Sequence, residues 1–404
     1  MVHRLIAYRV LLQADFAQEW TSAKNYWSGR PVYLPLAESF PIYFGPQART
    51  PLKVNAHPPT AVLVAIPFGG LDFRSAWLAW NIVSLGLLAL SLWLLMRPGA
   101  LNYTTAGGFC IATLLLASSP LAQQVIEGQM NLVLLALIAG AWSADCRDRQ
   151  VLAGILVGLA AAIKLFPAFL IVYFLGARRW KGAVATGVSF AAASLLTAGI
   201  LGWDVFTIYI RDVMPEFAQF GNNLSSSSLC RLVNSAFVGM TDLSPPYFYS
   251  PRLASILRLI VGFGLAALCG WKACQATDQA GRDLAFAAAM TAMLLASPIT
   301  WGHSFVLLVA PLLIAWRHVP RPAVQGGLAA LITLLWLVRP DWIWNFVPGF
   351  EAFRLGIAPA GYRVPTVYAF TALAYLNYAL LAFFVLIAVR SEEHTSELQS
   401  PYVI

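Results

Sequence analysis

The chain has 404 residues, of which 59% are hydrophobic and 11% charged, against about 25% charged in a soluble domain. Several apolar runs approach the roughly 20 residues needed to cross a bilayer, so the composition excludes a soluble domain and defines an all-α polytopic membrane protein. The net charge of +8 does not point to nucleic acid, because the basic residues sit in short clusters between apolar runs, as cytoplasmic loops do under the positive-inside rule. The five cysteines are odd in number and lack metal-ligand spacing, which excludes a disulfide framework and a zinc site. No obligatory metal or other cofactor is expected.

Met1 to Gln13 is too short and too basic to span a bilayer. Either the chain starts outside the membrane there, or it is a fragment that has lost a first transmembrane helix. Ala14 to Tyr33 is polar and aromatic, opening on Asp15-Phe16, and Tyr33 to Thr60 carries repeated prolines that rule out a spanning helix. Ala61 to Gly70 is half a span and is expected along the interface. Spans are predicted at Trp77–Met96, Tyr103–Ser118 and Leu132–Ala144, with the polar turn Glu127-Gly128-Gln129-Met130-Asn131 between the last two. Val151–Ile163 and Leu165–Ala177 read as a hairpin of short arms with Lys164 at its tip, which implies a recess where irregular backbone is tolerated beside protein or water. Ala183–Leu201 leads to a loop with Asn222, Asn223, four serines and Arg231. Leu253–Cys274 returns; Leu284–Ala296 and Ser304–Trp316 form a second short hairpin with Trp301 and His303 at its tip. Ala323–Val338 and Val367–Val389 complete the set.

Residues Arg390 to Ser400 read as the in-frame translation of a common sequencing-adapter oligonucleotide. Residues 1–390 are therefore taken as one transmembrane domain and 391–404 as a non-native tail.

Placing the basic clusters at Arg97, Arg147/Arg149, Arg178/Arg179/Lys181, Lys272/Arg282, Arg317/Arg321 and Arg390 in the cytoplasm satisfies the parity of every connecting run. The other face then receives Asp15, Glu127, Gln129, Asn131, Lys164, Asn223, Arg231, Trp301 and His303. Six arginines also land there, in long loops where the charge rule counts least. A carboxylate can take a proton from an attacking hydroxyl, and donors such as Lys164, Arg231, Asn131 and His303 can hold a leaving phosphate. One acid among several donors suits displacement of phosphate from an activated sugar; glycoside hydrolysis needs two carboxylates. Each residue also has a plainer role. Asp15 could cap a helix, Lys164 could snorkel to headgroups, His303 could be an interfacial anchor, Glu127 and Asn131 could end helices, and Arg231 could be a solvated charge.

The segment Asp15-Phe16, Trp20, Gly29-Arg-Pro31-Val-Tyr33 resembles the first-loop signature of glycosyltransferase family 87, the polyprenol-phosphate-sugar-dependent enzymes of GT-C architecture. His57-Pro58-Pro59 is similar to that family's Tyr-Pro-Pro, Gly128-Gln129-Met-Asn131 to its Gly-Gln-x-Asn, and Lys164-Leu-Phe-Pro167 to its Lys-x-x-Pro. Ser297-Pro-Ile-Thr-Trp301-Gly-His303-Ser304 resembles its Ser-Pro-Ile-Ser-Trp-x-His-His. Five motifs in the right order cover Asp15 to about Val389. The resemblance implies a GT-C-like bundle of about 10–12 helices, some short, with interfacial helices in its extracytoplasmic loops. It implies Asp15 as general base in an inverting transfer, Lys164 and His303 beside the lipid phosphate or acceptor, and Gln129 and Asn131 lining the same cavity. The departures are Trp20 for a Tyr, His57 for a Tyr and Ser304 for a His, and Asn222-Asn223 matches the family's Asn-Gln-Ser loop only loosely. The helix that the family carries before the Asp has no counterpart, which supports the fragment reading.

The expectation is a monomeric hexosyl- or mannosyltransferase, multi-pass in a bacterial inner membrane. It would move a sugar from polyprenyl phosphate to a glycan or glycolipid acceptor at the extracytoplasmic face. The alternative is a transporter or flippase of lipid-linked sugars. Paired broken helices favour that alternative, but the sequences flanking the two short hairpins are not alike.

Overall fold

The computed structural model describes residues 15–48, 50, 53–96, 112–240, 243–318, 322–359 and 361–399. The segment Met1 to Gln13, Arg97 and the first part of the span expected from Tyr103 lie outside the described residues. Those described are helical with no strand, only an isolated bridge between Met240 and Ser244. They fall into two compact units, one within Met1–Leu95, Ala122–Ala168 and Lys181–Ala218, the other within Met96–Leu121, Phe169–Trp180 and Gln219–Ile404.

The first unit contains, wholly or for most of their length, α1 (Phe16–Trp27), α2 (Leu36–Phe44), α3 (Pro59–Ala65), α4 (Phe73–Met96), α5 (Ser119–Glu127), α6 (Asn131–Asp145), α7 (Gln150–Ile163) and α8 (Trp180–Leu201). The polar and aromatic stretch from Ala14 to Tyr33 is therefore mostly helix where the structure describes it: α1 buries Phe16, Trp20 and Ala23. Pro41 sits inside the short α2, consistent with the prediction that nothing there spans. Small residues set the packing. A Cβ on Gly69 would lie 2.8 Å from the Ala23 carbonyl carbon, so the 3₁₀ turn Ile66–Gly70 rests directly on α1. A Cβ on Gly154 or Gly158 would meet the carbonyl oxygens of Gly182 and Thr186 at 2.1 and 2.4 Å, so α7 and α8 approach backbone to backbone. Small residues are how helices associate in lipid, where apolar bulk gives no preference for a neighbour.

The second unit contains α9 (Leu229–Phe237), α10 (Pro251–Gln275), α11 (Gln279–Ala296), α12 (Val309–His318), α13 (Pro322–Ile332) and α14 (Tyr375–Gln399). Helix α11 is buried on all sides from Asp283 to Leu295, packed by α10, α12 and α14. An apolar helix without a polar face belongs in such a centre.

Among the described residues, four stretches are long and apolar enough to cross a membrane: Phe73–Met96, Trp180–Leu201, Pro251–Gln275 and Thr366–Val389. The pair α5 and α6, bent by 118° at the turn between them, forms a broken span or a re-entrant loop. Val184, Val188, Leu195 and Leu196 on α8, and Ile256, Leu259, Ile260 and Phe263 on α10, are exposed. A soluble helix would carry polar side chains on that face; an apolar one is made for lipid. The ten to twelve crossings expected exceed these. The shorter apolar helices Gln150–Ile163 and Phe166–Gly176 stand where short arms were predicted, and Val324–Leu337 stands where a span was.

Candidate active site

Asp15 occupies the N-cap position of α1, with helical φ and ψ of −60° and −31°, yet its side chain makes no capping hydrogen bond. An N-cap carboxylate ordinarily satisfies a first-turn N–H and contributes about 1 kcal/mol. Here both oxygens face elsewhere. Oδ1 accepts from Gln18 Nε2 at 2.8 Å, and Oδ2 accepts from Gln129 Nε2.

Gln129 reaches Asp15 because Gly128 does not obstruct it. Gly128 has φ +62°, and a Cβ there would lie 2.6 Å from the Phe16 Cβ. The turn between α5 and α6 thus closes directly over the first residue of α1. Trp80 secures it, donating Nε1 to the Gly128 carbonyl at 2.7 Å while its ring stacks on Phe16 at 5.6 Å. Gln124 Nε2 donates to the Gln129 carbonyl.

Lys164 follows the last residue of α7 with extended φ and ψ. Its Nζ donates to Gln129 Oε1 at 2.7 Å and to Asn131 Oδ1 at 3.3 Å. Asn131 is fully buried, and its Nδ2 has no hydrogen-bond partner among the described residues. The Glu127 side chain lies near enough to Asp15 and Lys164 to interact electrostatically with both.

The site is thus less simple than the lone acid expected from sequence. Glu127 lies close to Asp15, and a third carboxyl, Glu19, lies one turn along α1. Glu19 is 2% exposed, with Oε1 2.5 Å from His57 Nδ1. His57 takes further support from Tyr33, whose hydroxyl donates to its carbonyl at 2.6 Å. Burial pushes the Tyr33 phenol well above its usual range, with Glu19 and then Tyr209 adding to the effect, so Tyr33 stays a donor. Sequence reasoning missed Gln18 and Glu19. The signal available was their spacing: three and four residues after Asp15 fall on one helical face.

Asn223, Arg231, Trp301 and His303 belong to the second unit, where the serine run and the Ser297–His303 segment come together. Ser227 N donates to the Thr300 carbonyl at 2.7 Å, and Thr300 N to Ser226 Oγ at 3.2 Å. Asn223 Oδ1 accepts from Ser225 N at 2.9 Å, bracing the same loop. Ser228 caps α9 by accepting from Arg231 N. Arg231 is not a solvated loop charge. It is fully buried on α9, and its Nη1 donates to Asn377 Oδ1 at 3.0 Å. Asn377 in turn donates Nδ2 to the Ser228 carbonyl at 2.8 Å. Burial pulls the Arg231 guanidinium down to about 10, so it stays charged at neutral pH. Trp301 precedes the 3₁₀ turn Gly302–Leu308, in which His303 is 4% exposed. Asn377, the hub of this network, is a further residue that sequence reasoning did not find. Among the described residues, no group of three or more His, Cys, Asp or Glu is arranged to hold a metal ion.

Fold and site together define a membrane protein that holds an acid among oriented amide and ammonium donors. The chain belongs to glycosyltransferase family 87, whose model matches residues 55–298. Gln129, Asn131, Lys164, Asn223 and Arg231 fall inside that stretch; Asp15, Trp301 and His303 fall outside it. The chain is similar to a polyprenol-phosphate-mannose-dependent alpha-(1-2)-phosphatidylinositol pentamannoside mannosyltransferase of Mycobacterium tuberculosis, 28% identical over 313 residues, 76% of this chain and 65% of that protein. The protein of the same description from Mycolicibacterium smegmatis is 29% identical over 303 residues, 73% of this chain and 66% of that one. A polyprenol-phosphate-mannose-dependent alpha-(1-2)-phosphatidylinositol mannoside mannosyltransferase of M. tuberculosis is 24% identical over 336 residues, 78% of this chain and 73% of that protein. The chain spans just under two thirds of the length of the first two. No solved structure matches it.

Proposed function

We propose that this chain belongs to an inverting glycosyltransferase that moves a hexose, mannose above all, from a polyprenyl-phosphate donor to a hydroxyl of a glycan or glycolipid. Its place is a bacterial inner membrane, with the reaction at the extracytoplasmic face. The observation that carries the reading is the Asp15 carboxylate, which forgoes the helix cap and is held instead by amides from Gln18 and Gln129. A fixed carboxylate beside a substrate hydroxyl is a general base. The acceptor hydroxyl gives its proton to Asp15, its oxygen bonds to the anomeric carbon from the side opposite the phosphate, and the carbon–oxygen bond to phosphate breaks. Polyprenyl phosphate leaves with both electrons of that bond.

Lys164 has three N–H donors. Two go to Gln129 and Asn131, and the third is assigned to the leaving phosphate or the sugar. The relatives' descriptions, polyprenol-phosphate-mannose as donor and phosphatidylinositol mannosides as acceptors, support mannose and a lipid-anchored mannoside. The test is product analysis of the full-length protein with a panel of polyprenyl-phosphate sugars. The expected outcome is glycosidic product with mannose and inverted anomeric configuration. Donor movement across a bilayer without any glycosidic product would overturn the reading in favour of a transporter.

A further inference from the structure

Asp15 and Gln18 stand at the N-cap and N3 positions of α1, the spacing at which two side chains ordinarily close a reciprocal cap on the backbone. Neither side chain does so. Gln18 is 2% exposed; its Oε1 accepts from the Ala56 backbone N–H at 3.1 Å and its Nε2 donates to Asp15 Oδ1 at 2.8 Å. A backbone N–H can only donate, which fixes the orientation of the amide: oxygen toward Ala56, nitrogen toward Asp15. On the other carboxylate oxygen the Gln129 amide is fixed in the same way, because its oxygen accepts from the Lys164 ammonium, which has no acceptor. Each oxygen of Asp15 is therefore met by one amide that cannot turn over.

The segment that presents Ala56 is itself tied to α1. Asn55 is buried and donates Nδ2 to Ser22 Oγ at 3.0 Å and to the Gln18 carbonyl at 3.4 Å. Its Oδ1 accepts from His57 N at 3.0 Å, and the His57 ring closes on Glu19. We propose that Gln18 is a positioning residue for Asp15, holding the carboxylate at a fixed angle from a segment, Asn55 to His57, that the Glu19–His57 pair clamps to the same helix. Gln18 acts through Asp15 and does not touch substrate. The proposal rests on the assignment of Asp15 as the base. A reacting group released from its orientation loses up to about 100-fold in rate.

The experiment measures kcat and KM for donor and acceptor in the full-length protein for Asp15→Asn, Gln18→Met and Gln18→Glu, with thermal midpoints as a check on folding. Gln18→Met keeps the bulk and removes both hydrogen bonds; Gln18→Glu keeps the acceptor for Ala56 and removes the donor to Asp15. Expected is an inactive Asp15→Asn and a kcat roughly 10- to 100-fold lower in both Gln18 variants, with each KM within about twofold. If Gln18→Met does not fold, Gln18→Glu decides. An inactive Asp15→Asn beside Gln18 variants of unchanged kcat overturns the positioning role and leaves the base assignment standing. A raised KM at unchanged kcat would make Gln18 a substrate contact and overturns it too, as does a Gln18→Glu protein that cannot fold. An active Asp15→Asn overturns the base assignment itself, whatever the Gln18 variants do.

Discussion

Lys164 reaches Asp15 through Gln129: one amide accepts from the ammonium with its oxygen at 2.7 Å and donates to the carboxylate with its nitrogen. The lysine therefore orients Asp15 as well as adding positive charge to the site. Glu127 completes a cluster from three elements: the start of α1, the turn between α5 and α6, and the end of α7.

Replacing Gln129 with Leu removes that bridge while keeping side-chain bulk. A hydrogen bond to a charged group contributes about 1.5–3 kcal/mol, so kcat should fall roughly 10- to 100-fold. Steady-state kinetics with a polyprenyl-phosphate mannose donor checks this; an unchanged kcat would mean the bridge does not matter to the reaction.

Gly128→Ala should be more damaging than its size suggests. Its methyl would lie 2.6 Å from the Phe16 Cβ, and the backbone there has φ +62°. Overpacking and a left-handed non-glycine residue each cost about 1–3 kcal/mol. The thermal midpoint in detergent should drop, and the closure of the turn on Asp15 should be lost with it. A midpoint equal to that of the parent protein would show that the turn can yield.

Arg231 and Asn377 form a buried pair whose members are coupled. Asn377→Leu leaves the Arg231 guanidinium without its side-chain oxygen acceptor and the Ser228 carbonyl without its side-chain donor, and should cost about 1.5–3 kcal/mol. The double variant Arg231→Met/Asn377→Leu should cost less than the sum of the singles. Unfolding of all three variants measures the coupling, and strict additivity would refute it.

The raised Tyr33 phenol gives a pH dependence with a definite sign. The folded protein holds this proton more tightly than the unfolded chain, whose phenol titrates near 10.0. Stability is therefore fully present below pH 10 and declines as pH rises from there toward the folded value. Tyr33→Phe should lower stability at neutral pH by about 1 kcal/mol for the lost bond to the His57 carbonyl and flatten the decline above pH 10. Thermal midpoints from pH 8 to 11 decide it: parallel curves for parent and variant would contradict the assignment.

Much of this was legible in the sequence because lipid imposes strong patterns. The long spans announce themselves as long apolar runs with few or no charges: the predicted Trp77–Met96, Ala183–Leu201 and Leu253–Cys274 differ from the observed helices by four residues or fewer at either end. Asp15, Gln129, Asn131 and Lys164 stood out as polar groups that an apolar chain has no ordinary reason to keep. What the sequence did not reveal depends on tertiary contact. Gln18 reads as a plain helix residue until Ala56 is brought against it, and Arg231 reads as a loop charge until Asn377, 146 positions later, closes over it. The helix at Phe16–Trp27 was hidden because its buried face is aromatic and its polar residues face partners from other elements.

The most direct test of the central claim is Asp15→Asn in the full-length protein, reconstituted in lipid and given polyprenyl-phosphate mannose and a phosphatidylinositol mannoside acceptor. The variant should bind donor as the parent does and form product at least about 100-fold more slowly, the loss expected for a general base. Product formed at the parental rate would show that Asp15 does not take the proton.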